Sequence, residues 1–432
     1  MPVESVGTLV VGAGQAGLAA SCHLSKLGLP HLVVERHRIA ERWRSERWDS
    51  LVANGPAWHD RFPELTFSDV DDDGFASRDQ IVHYFETFAT QAAAPVRCGV
   101  DVGSVRRHAS GEGFLVETSQ GLIEAGNVIA ATGPFQRPLV PDLVPDREGL
   151  MQIHSSAYRN PAQLPDGPVL VVGAGSSGVQ IADELLGAGR QVYLAVGPHN
   201  RPPRRYRGRD FCWWLGALGK WDVKTMRPGM EHVTIAVSGA HGGRTIDFRR
   251  LAWRGMTLVG RLERFDDGVL HFAPDLNRNI AMGDADYLAV LDEADAYTRH
   301  HGLVLPEDPE ARRIDPDPPC MTDPIRALNL NEAGIGAIVW ATGYARDFGW
   351  LKLDAFDGCG NPTHENGVSI VPGLYFLGLP WLTNRSSSFI WGVWNDAKRL
   401  ADHISARSPH SHAQRGPLPS HSAGVLPRHE VA

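Results

Sequence analysis

One pattern constrains this chain more than any other, and it occurs twice. Thr8-Leu9-Val10-Val11, a short apolar β-rich run, passes straight into Gly12-Ala13-Gly14-Gln15-Ala16-Gly17 and then a helical stretch, Leu18 to Leu27. Leu32-Val33-Val34 follows and ends in Glu35. The same order returns at Val169-Leu170-Val171-Val172, then Gly173-Ala174-Gly175-Ser176-Ser177-Gly178, then an Ala- and Leu-rich helix from Val179 to Ala188, then Val192-Tyr193-Leu194. The distance from Gly12 to Gly173 is far longer than any solenoid period. It fits two separate strand-loop-helix modules, each built to bring backbone against a phosphate.

Composition narrows the partners. The chain has 432 residues, room for more than one domain. Lys and Arg number 42 against 50 Asp and Glu, a net charge of -8, which argues against a basic face for nucleic acid. With 43% apolar and 21% charged residues it reads as a soluble globular protein. The five cysteines (Cys22, Cys98, Cys212, Cys320, Cys359) are scattered, with no Cys-x-x-Cys or Cys-x4-Cys pair. That excludes a zinc ribbon and a local redox disulfide, and implies free thiols in a reducing cytoplasm. The apolar run from Leu9 to Ala20 is Gly-rich and broken by Gln15, so neither signal peptide nor membrane span is expected. No metal site is expected, and the tail histidines His410, His412, His421 and His429 read as solvated.

Each loop carries its own ribose reader. At the first, Gly12 makes the tight turn, Gly14 admits a pyrophosphate and Gly17 lets helix and strand pack, with Gln15 and Ala16 between them also expected at the cofactor. Glu35, followed by Arg36, stands where a carboxylate accepts both hydroxyls of an adenosine ribose. At the second, Gly173, Gly175, Ser176, Ser177 and Gly178 repeat the loop, but the strand end Leu194-Ala195-Val196-Gly197 has no acid. Arg201, Arg204, Arg205 and Arg207 follow instead, and Arg201 and Arg204 are the expected readers of a 2′-phosphate. NADPH is therefore expected over NADH. One acidic and one basic reader together imply electron transfer from a nicotinamide to a second bound cofactor, naturally a flavin, as FAD.

The fold expected is α/β: two Rossmann-like dinucleotide-binding domains, the NADPH domain inserted into a discontinuous FAD domain. Apolar strands ending in Ala131-Thr132-Gly133 and Ala341-Thr342-Gly343 read as the returns of the chain between domains, and Asn160 to Gly167 as a linker. The expected division is 1–164 and 326–405 for FAD, 165–325 for NADPH with a helical insertion, and a flexible tail over 406–432. Leu276 to His300 reads as a helix of that insertion.

These motifs resemble the two-dinucleotide-binding-domain flavoproteins and, within them, the flavin-containing (class B) monooxygenases, over residues 5 to about 403. Trp43-Arg44 is similar to a family step beside FAD, Gly175-x-Ser177-Gly178 to its NADPH motif, and Trp340-Ala341-Thr342-Gly343-Tyr344 to its second Ala-Thr-Gly-Tyr. The stretch Gly149 to Tyr158 is similar to the fingerprint Phe-x-Gly-x-x-x-His-x-x-x-Tyr or Trp through His154 and Tyr158, but Glu148 replaces the Phe and the glycine falls one place early. Tyr158-Arg159 in place of Trp-Pro favours heteroatom or carbon hydroxylation over Baeyer-Villiger ester formation. The resemblance implies that NADPH reduces FAD, that dioxygen forms a C4a-hydroperoxyflavin, and that one oxygen passes to a small apolar or aromatic substrate. It also places Asn54 over the flavin and gives His154 a supporting role at the cofactor or domain linkage. Ser388 and Phe389 stand where a helix begins toward the flavin pyrimidine. A disulfide reductase would need the missing cysteine pair. A Baeyer-Villiger enzyme and a non-catalytic FAD/NADPH sensor remain as alternatives, and a homodimer stays open.

Overall fold

The computed structural model describes residues 3–224 and 234–407. Strand β1 (Glu4–Val11) leads through the first glycine loop into α1 (Gln15–Lys26) and β2 (His31–Glu35). After β3 (Val96–Cys98) comes β4 (Gly121–Ala130). The chain then crosses to β5 (Met151–His154), β6 (Val169–Val172), the second loop, α2 (Ser176–Gly187), β7 (Val192–Ala195) and β8 (Thr257–Val259). Helix α3 (Leu276–His300) precedes β9 (Ala337–Trp340), β10 (Leu374–Phe376) and α4 (Ile390–Arg407).

Two parallel arrays result. In the first, β10, β4, β1, β2 and β3 lie side by side in that order. The second is a five-stranded sheet in the order β8, β7, β6, β9, β5. Its strands β6, β7 and β9 are buried along their whole length, because layers cover both faces and each face needs apolar side chains. Val169, Val171, Val192 and Leu194 enter one core cluster, and Leu170, Val172, Tyr193 and Trp340 the other. On α4, Ile390, Val393, Trp394, Ala397, Leu400, Ala401 and Ile404 form one buried stripe, which packs into the core of the first sheet.

The observed sheets do not follow the expected residue spans. Strand β9 pairs with β5 on one side and β6 on the other, with Ala337 opposite both Met151 and Val169. The second sheet therefore recruits 151–154 and 337–340, which lie outside the expected 165–325. The stretch at Asn160, a short 3-10 turn over Pro161–Gln163, connects two strands of one sheet. Helix α4 runs to Arg407, and the rest of the expected tail lies outside the described residues.

Candidate active site

Both glycine loops have the same backbone. Gly12 has φ of +109° and Gly173 of +110°, values that L side chains rarely adopt. A Cβ on Gly17 would run into the carbonyl of Gly12, and one on Gly178 into that of Gly173, so α1 and α2 can approach their strands only on glycine. Both helices start at a glycine N-cap with no side-chain cap, and neither has an acid in its first turn. Their free N–H groups and positive dipole ends suit a pyrophosphate. Around Gly14 a Cβ would meet nothing within 4 Å, an open cradle. Around Gly175 it would stand 3.3 Å from Thr234, and the Ser176 hydroxyl donates to the Ile235 carbonyl at 2.8 Å. Ser177 is exposed beside it.

Glu35 ends β2 at the first loop, where one carboxylate oxygen accepts from Ala13 N at 2.9 Å and the other from His37 N at 3.0 Å. These bonds aim it across the loop, and Arg36 beside it is exposed. Trp43 packs against the cores of both sheets, while Arg44 pairs with Glu86. Gln136 Nε2 donates to Thr132 Oγ1 and to the Gly133 carbonyl, both at 2.8 Å. Leu139 N donates to Gly343 O at 3.0 Å and Tyr344 stands opposite Pro138, so the second Ala-Thr-Gly return runs against the segment that follows the first, while Ala341 N donates to Val172 O at 2.8 Å. Gln15 Nε2 reaches the Ser388 carbonyl at 2.7 Å and ties the first loop to the segment before α4. Phe389 next to it is exposed.

One expectation is corrected. Arg201 and Arg204 are 3% and 1% exposed. Arg201 is bonded to Asp284 at 2.8 Å and lies near Asp247, whereas Arg204 grips both oxygens of Asp210. Buried guanidinium groups need such partners, and these leave neither free to read a phosphate. Arg205, one place on, is exposed. His154, expected to support the cofactor or the domain linkage, has both ring nitrogens engaged: Nδ1 with the Ser156 hydroxyl and Nε2 with the Gly343 carbonyl, each at 2.9 Å. Burial pushes its pKa down, and it acts as a buried tie between β5 and the second Ala-Thr-Gly return.

Asn54 is exposed and held from the second sheet's side. Gln180 Nε2 donates to Asn54 Oδ1 at 2.8 Å, and Arg204 donates to the Asn54 carbonyl. One helical turn on, Glu184 accepts from Ser50 Oγ at 2.6 Å and from the fingerprint hydroxyl of Tyr158 at 2.8 Å. Gln180 and Glu184 share a face of α2, so the loop 50–54 is docked along that helix. The sequence carried a signal for Gln180, a polar residue on the buried stripe of α2.

The structure also joins aromatic residues that are distant in the chain. His59 stacks on Trp221 at 5.1 Å and meets Trp391 edge-on at 5.5 Å, while Phe389 lies 5.0 Å from Trp221. His59 Nδ1 bonds Asp60 at 2.7 Å. Burial opposes charge on this imidazole, but Cys212 and Asp60 outweigh it and hold the pKa up at about 10. Trp213 and Trp214 instead pack around Tyr206 and Tyr297.

A family described as pyridine nucleotide-disulphide oxidoreductase matches residues 9–215. An uncharacterised CzcO-like oxidoreductase of Geobacillus kaustophilus is 32% identical over 403 residues, covering 92% of this chain and 98% of the relative. The indole-3-pyruvate monooxygenase YUCCA1 of Oryza sativa is 32% identical over 197 residues, 44% of this chain and 47% of that protein. Among solved structures, a flavin-containing monooxygenase from Stenotrophomonas maltophilia superposes with a TM-score of 0.64 at 19% identity, over 94% of this chain and 99% of that one. Two loop-bearing parallel sheets and these likenesses define the class, an oxidoreductase with two Rossmann-like domains. The chain belongs to the CzcO-like oxidoreductases.

Proposed function

We propose that the protein inserts one atom of dioxygen into a small apolar or aromatic substrate, at nitrogen, sulfur or carbon. FAD supplies the electrons that activate dioxygen, and NADPH the hydride that reloads it. The first loop, with Gly12, Gly14, Gln15, Ala16, Gly17 and Glu35, would hold FAD, together with Arg36, Trp43, Arg44, Thr132, Gly133, Ser388 and Phe389. The second, with Gly173, Gly175, Ser176, Ser177 and Gly178, would hold NADPH, with Ala341, Thr342 and Gly343 lining the return beside it. The observation that carries this reading is Asn54, an exposed neutral amide fixed by its carbonyl end against α2. Such an amide donates a hydrogen bond to a reactive oxygen without protonating it. The aromatic rings around His59 would face an apolar or aromatic substrate.

The test uses the FAD-loaded protein with NADPH, isotopically labelled dioxygen and a panel of thioethers, amines and ketones. Label in a thioether or amine product, with NADPH oxidation rising on substrate addition, is the expected result. Labelled esters from ketones alone would make it a Baeyer-Villiger enzyme. Binding of both cofactors without stimulated oxidation by any compound would leave a sensor.

A further inference from the structure

Gln180 is buried on α2, and both hydrogens of its amide are spent: one on Asn54 Oδ1 at 2.8 Å, the other on the Val237 carbonyl at 2.7 Å. The second bond fixes which way the Gln180 amide faces, because only its NH2 end can serve two oxygen acceptors. The first bond then fixes Asn54. Its oxygen is turned toward α2, and its own NH2 is left as the outward donor. Arg204 secures the same residue by its main chain, donating to the Asn54 carbonyl while Asp210 holds the guanidinium and the Phe75 ring lies 5.0 Å away. Ser50 against Glu184 sets the register of the loop one helical turn further along.

We infer that Gln180 and Arg204 are positioning residues that hold Asn54 with its amide NH2 presented to the reacting oxygen. The helix behind the NADPH loop thereby orients a donor carried by the FAD-binding part of the chain. This rests on the oxygen-transfer reading of Asn54, so the variants are chosen to separate the two. In Gln180→Glu the donor becomes an acceptor, and Asn54 turns its NH2 inward to meet it. Gln180→Leu removes the bond and lets the amide rotate freely.

The experiment measures hydrogen peroxide released per NADPH consumed by the FAD-loaded full chain, with flavin content as the check on folding. Asn54→Ala should raise the ratio. Gln180→Glu should match it, and Gln180→Leu should raise it by about fivefold, the factor that one ordinary hydrogen bond is worth. Flavin content should stay at the wild-type level in each. A ratio unchanged in both Gln180 variants, while Asn54→Ala raises it, would overturn the positioning role and leave the Asn54 reading intact. An unchanged ratio in Asn54→Ala would overturn that reading, and the positioning role with it. Gln180→Asn, shorter by one methylene, should recover less than half of the coupling. Full recovery would show that the amide need not reach Asn54.

Discussion

A guanidinium buried against a carboxylate is stable only while both charges are present. Arg204 and Asp210 are such a pair, and Asp210 also caps the helix Phe211–Ala217 by accepting from Cys212 N at 2.8 Å. Arg204→Met should therefore cost about 3–5 kcal/mol, because it strands a buried carboxylate. Thermal denaturation of the variant checks this, and an unchanged midpoint would mean the pair is dispensable. Arg201→Ala should destabilise the fold for the same reason while leaving the ratio of KM values for NADPH and NADH where it was. Its guanidinium is spent on Asp284 and the Ile246 carbonyl. A KM raised for NADPH alone would restore Arg201 as a phosphate reader. From sequence, an arginine cluster after a nucleotide-binding strand reads first as a phosphate reader. Whether it is one depends on Asp210, Asp247 and Asp284, whose approach is set by tertiary contacts.

At the scale of the element, the two outer glycines of each loop are required by the fold, and the middle one of the first loop is not. Gly14 has ordinary extended backbone and open space around it, so Gly14→Val should fold with a wild-type melting midpoint of the apoprotein yet retain no flavin. Gly17→Val should fail earlier, as insoluble or unfolded chain, since its Cβ would strike the Gly12 carbonyl. A yellow Gly14→Val protein would remove FAD from this loop. The helices facing these loops also carry a pH dependence. His23 on α1 lies 4.3 Å from the Trp394 ring of α4, and burial, aided by Lys26 and Lys398 and opposed by Glu64 and Asp402, pushes its pKa down to about 4. The unfolded chain therefore binds more protons than the folded one between about pH 4 and the ordinary histidine value of 6.5. This contribution is complete above that window and lost as pH falls through it. The melting midpoint should drop between about pH 7.5 and pH 5, and His23→Gln should drop less. An equal drop in both would assign the effect to other groups.

At the scale of the whole molecule, the repeat and the flanking strands were legible because a glycine loop after an apolar strand has one economical folding. The helices began earlier than their apolar runs, since Gly14 and Gly175 themselves are the caps. The exchange of strands was not legible: nothing local in Met151–His154 says which sheet it joins, and only its pairing with β9 decides. His154 stands at that crossing, and its chemistry follows from its place. With Nδ1 on Ser156 and Nε2 on the Gly343 carbonyl, it has no ring nitrogen left to exchange a proton with a substrate. His154→Leu should cost about 1–3 kcal/mol by leaving the buried hydroxyl and main-chain N–H of Ser156 without that partner. The pH profile of NADPH oxidation in the FAD-loaded variant should keep the wild-type inflections, with only its height changed. A lost or displaced inflection would make His154 an acid or base of the reaction, and the crossing would then be part of the chemistry.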